Sequence, residues 1–264
     1  MSFRTLYNTH YAQRPRHSLN PEYILSSYFV FESPEEIVSE ITTLIEQFKH
    51  FFKPHPWHGI SVWAKAPFLN VFIEIVPTDT VKYELDKESG YLSIDRPQKF
   101  SNIVPALYGF VPQTYCGQST AKFASTESGL GELEGDGDPL DICVLTERTI
   151  THGDLLLQAK PIGGLRMIDQ GEVDDKIIAV LKDDSIFGDI NDISQCPPKV
   201  LDRLKHYFLT YKDIPGAGGE RKITIETVYG VKDALKVIEL SSADYRAKFP
   251  QSFPKTKGDG LLDG

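Results

Sequence analysis

Cysteine is scarce in this sequence, which has only three in 264 residues. Cys116, Cys143 and Cys196 lie far apart, without the spacing of a zinc site and without the even number of a disulfide framework. The pattern argues against a small disulfide-stapled secreted domain and against a cysteine-ligated zinc module. It suits a reducing compartment, so we expect a cytoplasmic protein.

Positive charge is also in short supply, and long apolar runs are missing. Lys and Arg number 28 against 37 Asp and Glu, which gives a formal net charge of -9. Such a chain is unsuited to a broad nucleic-acid surface, so basic clusters within it are expected to meet a local anion. Neither the segment from Met1 to Tyr7 nor any later one approaches the roughly eighteen uncharged residues of a membrane span. We expect no nucleic-acid partner, no signal peptide and no membrane span.

The segment from Gly135 to Asp141, Gly-Asp-Gly-Asp-Pro-Leu-Asp, brings three carboxylates into one turn immediately before an apolar segment. Its two glycines permit tight or positive-φ backbone and Pro139 fixes φ, so the loop can be shaped before a cation arrives. Crowded carboxylates resist joint ionisation unless a positive charge lies among them, and oxygen ligands favour Mg²⁺ or Ca²⁺ over zinc. On this loop alone, a solvated acidic turn that caps a strand is an equal alternative.

Residues 1–55 are predicted to form an N-terminal extension that contains an amphipathic helix. Ser33, Pro34 and Glu36 supply an N-cap, a proline at the first helical position and a capping-box glutamate. Apolar residues follow at helical spacing from Ile37 onward, so one face is expected to pack on the main body or on another subunit. Residues 56–250 are predicted to form the main domain, and the polar, glycine-rich segment 251–264 a loose tail.

The main domain alternates short strand patterns with turns, and helical patterns come mainly toward its C-terminal half. Residues 81–85 alternate apolar and charged side chains, and the turn at 87–90 predicts a hairpin with the return strand 91–96. Further strands are predicted at 71–75, 155–165, 176–181 and 222–228, and helices at 197–211 and 234–249. Residues 113–134, rich in Gly, Ser and Thr, are expected to be a long irregular excursion. The predicted fold class is α+β, a closed or partly open β-barrel decorated with helices.

A second acidic turn, from Asp169 to Asp175, also follows a predicted strand. In a barrel, the two turns and Glu74 could line one mouth. Basic residues predicted around that mouth are Lys82, Arg96, Lys176 and Lys212. Phosphoryl transfer to water requires this mixture, because metal ions bridge phosphate oxygens, cations hold the other oxygens and a carboxylate accepts the proton of water.

The six residues 136–141, Asp-Gly-Asp-Pro-Leu-Asp, match the signature D-[SGDN]-D-[PE]-[LIVMF]-D of the soluble inorganic pyrophosphatases of the first family. The resemblance extends in the family's order over roughly residues 70–212, and the segment 96–102 is similar to the longer members found in bacteria such as chlamydiae. It implies a five-stranded closed barrel of the OB type, Mg²⁺ as cofactor and a homo-oligomer. The implied activity is Mg²⁺-dependent hydrolysis of pyrophosphate to two orthophosphates by direct attack of a metal-bridged water.

The resemblance also implies a role for each matching side chain. The implied metal ligands are Asp136, Asp141, Asp169 and Asp174, with Glu74 and Glu84 near the metals or their waters. The implied grip on phosphate oxygens comes from Lys82, Arg96, Tyr108, Lys176, Tyr211 and Lys212. Asp138 is the implied general base, and Tyr108 and Lys212 complete the implied catalytic group. These roles suit the residue types, since Arg forks onto phosphate and Tyr donates without adding charge.

Two positions depart from the family pattern. Val104 stands where many relatives carry a tyrosine, and Gln170 replaces a common glutamate. Two other functions remain as alternatives: a non-enzymatic OB-type module that binds a divalent cation, and an aspartyl-phosphate phosphatase with Asp136 or Asp138 as nucleophile.

Overall fold

The computed structural model describes residues 33–48, 51–212 and 223–250. The chain divides into two compact units, Met1–Lys53 and Pro54–Gly264. In the first unit the described element is helix α1 (Pro34–Phe48), on which Val38, Ile41 and Leu44 are exposed. The sequence-predicted tail 251–264 lies outside the described residues.

The second unit contains ten strands and three α-helices in the part that the structure describes. The strands are β1 (Leu69–Ile75), β2 (Val81–Leu85), β3 (Leu92–Pro97), β4 (Leu107–Phe110), β5 (Glu134–Gly135), β6 (Asp141–Leu145), β7 (Leu155–Asp169), β8 (Glu172–Val173), β9 (Lys176–Leu181) and β10 (Ile223–Gly230). The helices are α2 (Gln118–Ser128), α3 (Pro198–Thr210) and α4 (Val231–Lys248). None of the described helices is both long and apolar enough to cross a membrane.

Strand β7 is the centre of the sheet. It pairs antiparallel with β1, β9, β10 and β8 along successive parts of its 15 residues. β1 also pairs with β4, β4 with β6, and β6 with β9, this last pair in parallel. β5 and β8 form a second parallel pair, and β2 and β3 form a separate hairpin. The sheet is therefore mixed, and the α+β prediction is confirmed.

Alternation along the central strands separates the two largest apolar clusters of the interior. On β6, Ile142 belongs to one cluster and the neighbouring Cys143 to the other, and β9 alternates in the same way. Successive side chains of a strand point to opposite faces, so strands buried on both faces need continuous apolar sequence. Helix α4 packs on the first cluster through Val237, and α3 on the second through Phe208.

The expectation of an irregular excursion at 113–134 was wrong, because α2 occupies its middle. The backbone N–H groups of Ser119 and Thr120 donate to the carboxylate of Asp244, which lies on α4. A carboxylate at a helix N-terminus satisfies donors that lack a partner inside the helix. This capping group comes from far along the chain, and the local composition therefore gave no sign of it.

Candidate functional site

Two adjoining cavities open at one end of the sheet, and their linings share Lys82, Tyr108, Asp138 and Asp141. The larger has a volume of about 240 Å³ and the smaller about 80 Å³. The larger is lined by carboxylates of both acidic turns together with four basic side chains, Lys82, Arg96, Lys176 and Lys212. The smaller adds Glu74, Glu84 and Lys87.

The first acidic turn is held by close backbone packing. Gly137 has a φ of 75°, and the N–H of Asp138 donates to Oδ1 of Asp136 at 3.0 Å. A Cβ on Gly135 would lie 2.1 Å from the carbonyl oxygen of Cys116, so only glycine fits there. The carbonyl of Asp138 accepts from the N–H of Cys116 at 2.8 Å, which anchors the far side of the turn.

The second acidic turn is a tight hairpin between β7 and β8. Asp169 pairs with Glu172, and the two residues between them, Gln170 and Gly171, have φ values of 56° and 96°. Two consecutive positive φ values are typical of the type I′ turn, whose twist matches that of the two antiparallel strands it joins. The N–H of Asp174 donates to the carbonyl of Met167 at 3.0 Å, which continues the pairing toward β9.

Lys176 joins the two acidic turns. The register of the parallel β6–β9 pair sets it opposite Asp141, and its Nζ donates to the carboxylates of both Asp141 and Asp174. The hydroxyl of Tyr108, from β4, donates to the same oxygen of Asp141. Lys176 is only 2% exposed, so its charge is compensated almost entirely by these two carboxylates.

The β2–β3 hairpin supplies further charged groups. Nζ of Lys82 lies 2.7 Å from Glu84 and 2.9 Å from Asp95. Nε of Arg96 lies 3.8 Å from Asp95, and within the described part of the chain its buried Nη1 has no hydrogen-bond partner. A buried guanidinium N–H without a partner is costly, so this atom is a ready donor for an anion in the cavity.

Each cavity has a further charged group that the other lacks, Lys212 in the larger and Glu74 in the smaller. Nζ of Lys212, just beyond α3, is 2.5 Å from Asp169 and lies over the ring of Tyr211, 5.4 Å from its centre. Glu74 is 7% exposed on β1, and its Oε1 accepts from the N–H of Leu85 at 2.7 Å. Helix α3 and strand β1 therefore deliver one cation and one carboxylate to the same pair of cavities.

The carboxylates of this site resist ionising together. Burial raises the pKa of Glu74 to about 8, although the hydrogen bond from Leu85 lowers it. Burial, assisted by the charge of Asp174, raises the pKa of Asp136 to about 8. Burial also raises the pKa of Asp141 against the opposing charge of Lys176. An additional cation among these oxygens would oppose all three shifts, because it favours the ionised carboxylates.

Within residues 33–48, 51–212 and 223–250, no three His, Cys, Asp or Glu side chains form a group that could hold a metal ion. The carboxylates of the two turns are instead bonded to Lys176, Lys212 and Lys87. The donor set nevertheless fits a hard divalent cation, because it consists of carboxylate oxygens. Burial makes some of these carboxylates difficult to ionise unless a cation lies beside them.

All of the sequence-predicted site residues line these two cavities. The larger contains Lys82, Arg96, Tyr108, Asp136, Asp138, Asp141, Asp169, Asp174, Lys176, Tyr211 and Lys212, and the smaller adds Glu74 and Glu84. Sequence reasoning missed Lys87, Glu172 and Tyr207, which also line them. Lys87 lies in a hairpin turn, where an exposed lysine gives no sign that it will reach Asp138. Its ion pair with Asp138 is visible only in the folded structure.

Comparison with known proteins gives one consistent family. A family model described as inorganic pyrophosphatase matches residues 71–246. The inorganic pyrophosphatase of Chlamydia caviae is 57% identical over 199 residues, which are 74% of this chain and 92% of that protein. Soluble inorganic pyrophosphatase 2 of Chlamydomonas reinhardtii is 37% identical over 74% of this chain and 90% of its own.

Solved structures agree with the sequence comparisons. The inorganic pyrophosphatase of Helicobacter pylori superposes with a TM-score of 0.58 at 33% identity, covering 71% of this chain and 98% of that one. The crystal structure of the Thermus thermophilus inorganic pyrophosphatase gives a TM-score of 0.60 at 27% identity, covering 72% of this chain and 99% of that one.

Proposed function

Because this chain belongs to the inorganic pyrophosphatase family, we propose that it hydrolyses inorganic pyrophosphate to two orthophosphates by direct attack of water. One observation carries the proposal most directly: buried Lys176 lies between the carboxylates of Asp141 and Asp174 in a cavity that other cations also line. Interleaved ammonium and carboxylate groups suit a polyanion that enters together with divalent cations.

Magnesium is the cofactor that the carboxylate-rich lining supports. The residues that would hold it are Asp136, Asp141, Asp169 and Asp174, with Glu74 and Glu84 beside them. When bound, Mg²⁺ would neutralise phosphate charge and make a bound water more acidic. The raised pKa values of Glu74 and Asp136 fit this assignment, because a nearby cation would favour the ionised forms of both.

The basic side chains would hold the two ends of pyrophosphate. Candidate donors to its oxygens are Lys82, Arg96, Tyr108, Lys176, Tyr211 and Lys212. The buried Nη1 of Arg96 is suited to this role because it has no protein partner among the described residues. Lys176 and Lys212 already lie within the cavity, so substrate binding requires only that they share their hydrogen bonds with phosphate.

Asp138 is the proposed general base. Its side chain is 45% exposed, whereas that of Asp141 is 23% exposed, so Asp138 is the more accessible to an attacking water. It would take the proton of the attacking water as the new P–O bond forms. Lys212 and Tyr108 would stabilise charge on the departing phosphate, which leaves as orthophosphate.

Several wider features belong to the same proposal. The pairings β1–β4, β4–β6, β6–β9, β9–β7 and β7–β1 return to their starting strand, which supports a five-stranded closed barrel of the OB type. We assign an extension to residues 1–55, the catalytic domain to 56–250 and a tail to 251–264. A cytoplasmic homo-oligomer without nucleic-acid or membrane partners completes the proposal.

The decisive experiment is phosphate release from pyrophosphate by purified protein, measured with Mg²⁺ and with a chelator. Release that depends on Mg²⁺ is the expected result, whereas no release above the chelated control would favour a non-enzymatic cation-binding module. Trapping experiments separate direct attack from an aspartyl-phosphate route. Direct attack passes through no covalent enzyme intermediate, whereas the covalent route gives a trappable acyl-phosphate.

A further inference from the structure

Asp175 lies between two residues of the site and is directed away from it. Asp174 and Lys176 line the larger cavity, whereas Asp175 lines neither cavity and is 1% exposed. Asp174 and Asp175 form the short connection between β8 and β9. The group that fixes Asp175 on one face therefore also fixes the backbone that carries two site residues on the other.

Arg166, on β7, holds Asp175 from several directions. Its Nη2 lies 3.1 Å from Oδ2 of Asp175, and its Nε lies 3.3 Å from Oδ1. The rings of Phe123 and Tyr229 lie over the guanidinium, each with its centre 5.1 Å from Cζ. Arg166 is 1% exposed, so α2 and β10 clamp it against the sheet.

Tyr229 adds a third fixed contact. Its hydroxyl donates to Oδ2 of Asp175 at 3.1 Å, and its ring lies across Gly164. A Cβ on Gly164 would lie 2.4 Å from atoms of that ring, so the glycine provides the space that the phenol occupies. Three donor atoms from two strands leave the Asp175 carboxylate little freedom to rotate.

Stability alone is a weak reason for this arrangement. A buried ion pair can often be replaced by apolar residues of similar volume without loss of stability, because desolvation offsets the attraction between the charges. Apolar replacements would nevertheless lack the directional bonds that fix one backbone position. Asp175 is the neighbour of both Asp174 and Lys176 in the sequence. Bonds that fix Asp175 therefore also restrict the backbone of these two site residues.

We propose that Asp175, held by Arg166 and Tyr229, is a positioning residue for the two site residues on either side of it. It fixes the distance between the carboxylate of Asp174 and the ammonium of Lys176, and so sets how readily that carboxylate turns from the lysine to a divalent cation. This inference rests on the proposed function, because it assumes that Asp174 is a metal ligand.

Two variants test the proposal without changing the charge of the site. Tyr229→Phe removes one hydroxyl, and Arg166→Gln combined with Asp175→Asn keeps the net charge of the pair at zero. Groups that orient metal ligands typically contribute about tenfold or more to metal affinity. We therefore expect each variant to bind Mg²⁺ about tenfold more weakly by calorimetry without pyrophosphate. The kcat at saturating Mg²⁺ should stay at the wild-type level.

Tyr245→Phe is the matched control. Tyr245 is a fully buried tyrosine on α4 whose hydroxyl lies 2.6 Å from Nδ1 of His58, and it lines neither cavity. Loss of this hydroxyl should leave Mg²⁺ affinity unchanged. Thermal melting shows which variants are folded, and Tyr229→Phe decides the question if the double variant does not melt cooperatively.

Wild-type Mg²⁺ affinity in folded Tyr229→Phe would overturn the proposal. An equal loss of affinity in Tyr245→Phe would also overturn it, because the effect would then be a general consequence of losing a buried hydroxyl. The proposed function has a separate test: a wild-type protein that binds Mg²⁺ but releases no phosphate would contradict hydrolysis and leave the calorimetric comparison intact.

Discussion

Nζ of Lys87, in the β2–β3 turn, bonds the carboxylate of Asp138, which lies in the first acidic turn. Both side chains are substantially exposed, at 42% and 45%. An exposed ion pair contributes only about 0.2–1 kcal/mol, because water screens it and ordering two flexible side chains has an entropic cost. Lys87 therefore belongs to the site in position but is weakly coupled to it in energy.

The loss of activity on replacing a lysine should be larger for a buried lysine than for an exposed one. Lys87→Gln should lower kcat/KM for pyrophosphate by less than about fivefold, the equivalent of 1 kcal/mol. Lys176→Gln should lower it by about tenfold to a hundredfold, because a hydrogen bond to a charged group contributes about 1.5–3 kcal/mol. Initial rates of phosphate release at saturating Mg²⁺ measure both. A larger loss in Lys87→Gln would contradict this ranking.

Two aspartates of the first turn should respond differently to metal. Asp141→Asn should raise the Mg²⁺ concentration needed for half-maximal activity, and excess Mg²⁺ should partly restore the rate, because it loses a proposed ligand. Asp138→Asn should lower kcat by about a hundredfold or more even at saturating Mg²⁺, because it loses the proposed base. Rate measurements across a Mg²⁺ series distinguish them. Equal rescue of both variants would show that Asp138 is not the base.

The tyrosine that the family pattern would supply at Val104 has no space here. Val104 is 0% exposed and packs in the same cluster as Ile75 and Phe208. Val104→Tyr should destabilise the protein by about 1–3 kcal/mol through overpacking and bring no large gain in activity. Tyr108→Phe should lower phosphate release, because its hydroxyl bonds Asp141. Denaturant unfolding and rate assays check these outcomes, and a gain of several orders of magnitude in Val104→Tyr would contradict them.

The side chain of Asp192 accepts hydrogen bonds at the N-termini of two helical segments, α4 and the 3₁₀ helix Ile193–Gln195. Its Oδ2 accepts from the N–H of Val231, at the start of α4, at 2.9 Å, and its Oδ1 accepts from the N–H of Ser194 at 3.0 Å. These bonds lower the pKa of Asp192, with the Val231 N–H the largest cause. Asp192→Ala should lower the free energy of unfolding by about 1 kcal/mol at pH 7.

The pH dependence of this effect has a definite sign. A lowered folded-state pKa means that Asp192 stabilises the protein above its unfolded pKa of about 3.9, and that this stabilisation is lost as pH falls through the folded value. The difference between wild type and Asp192→Ala should therefore shrink in acid. Urea unfolding at several pH values measures it, and a difference that stayed constant down to pH 3 would argue against the carboxylate.

Deletion of residues 1–53 should leave phosphate release unchanged. Every residue that lines the two cavities lies between 74 and 212, within the second compact unit. Light scattering on the full-length and shortened proteins tests the accompanying proposal that α1 contributes to a homo-oligomer. An unchanged number of subunits would exclude that role for the helix. A large loss of activity would contradict the domain assignment.

Patterns within a few residues predicted most of the strands, because alternation and turn residues act locally. The sequence also predicted the residues that line the site, because they match the family pattern in order along the chain. It failed where one part of the chain completes another. Asp244 caps α2 from α4, and Arg166 and Tyr229 hold Asp175 from two other strands. Spacing along the chain contains no information about such contacts.

The central position of β7 has a consequence for synthesis of the protein on the ribosome. β7 carries Arg166 and the start of the second acidic turn, and its last pairing partner among the described strands is β10, which carries Tyr229. Pairings between distant segments form slowly, because the intervening chain must first be ordered. A nascent chain that ends before β10 lacks the tyrosine that clamps Arg166 and bonds Asp175. Its acidic turns would therefore emerge before the contacts that hold Asp175 are complete.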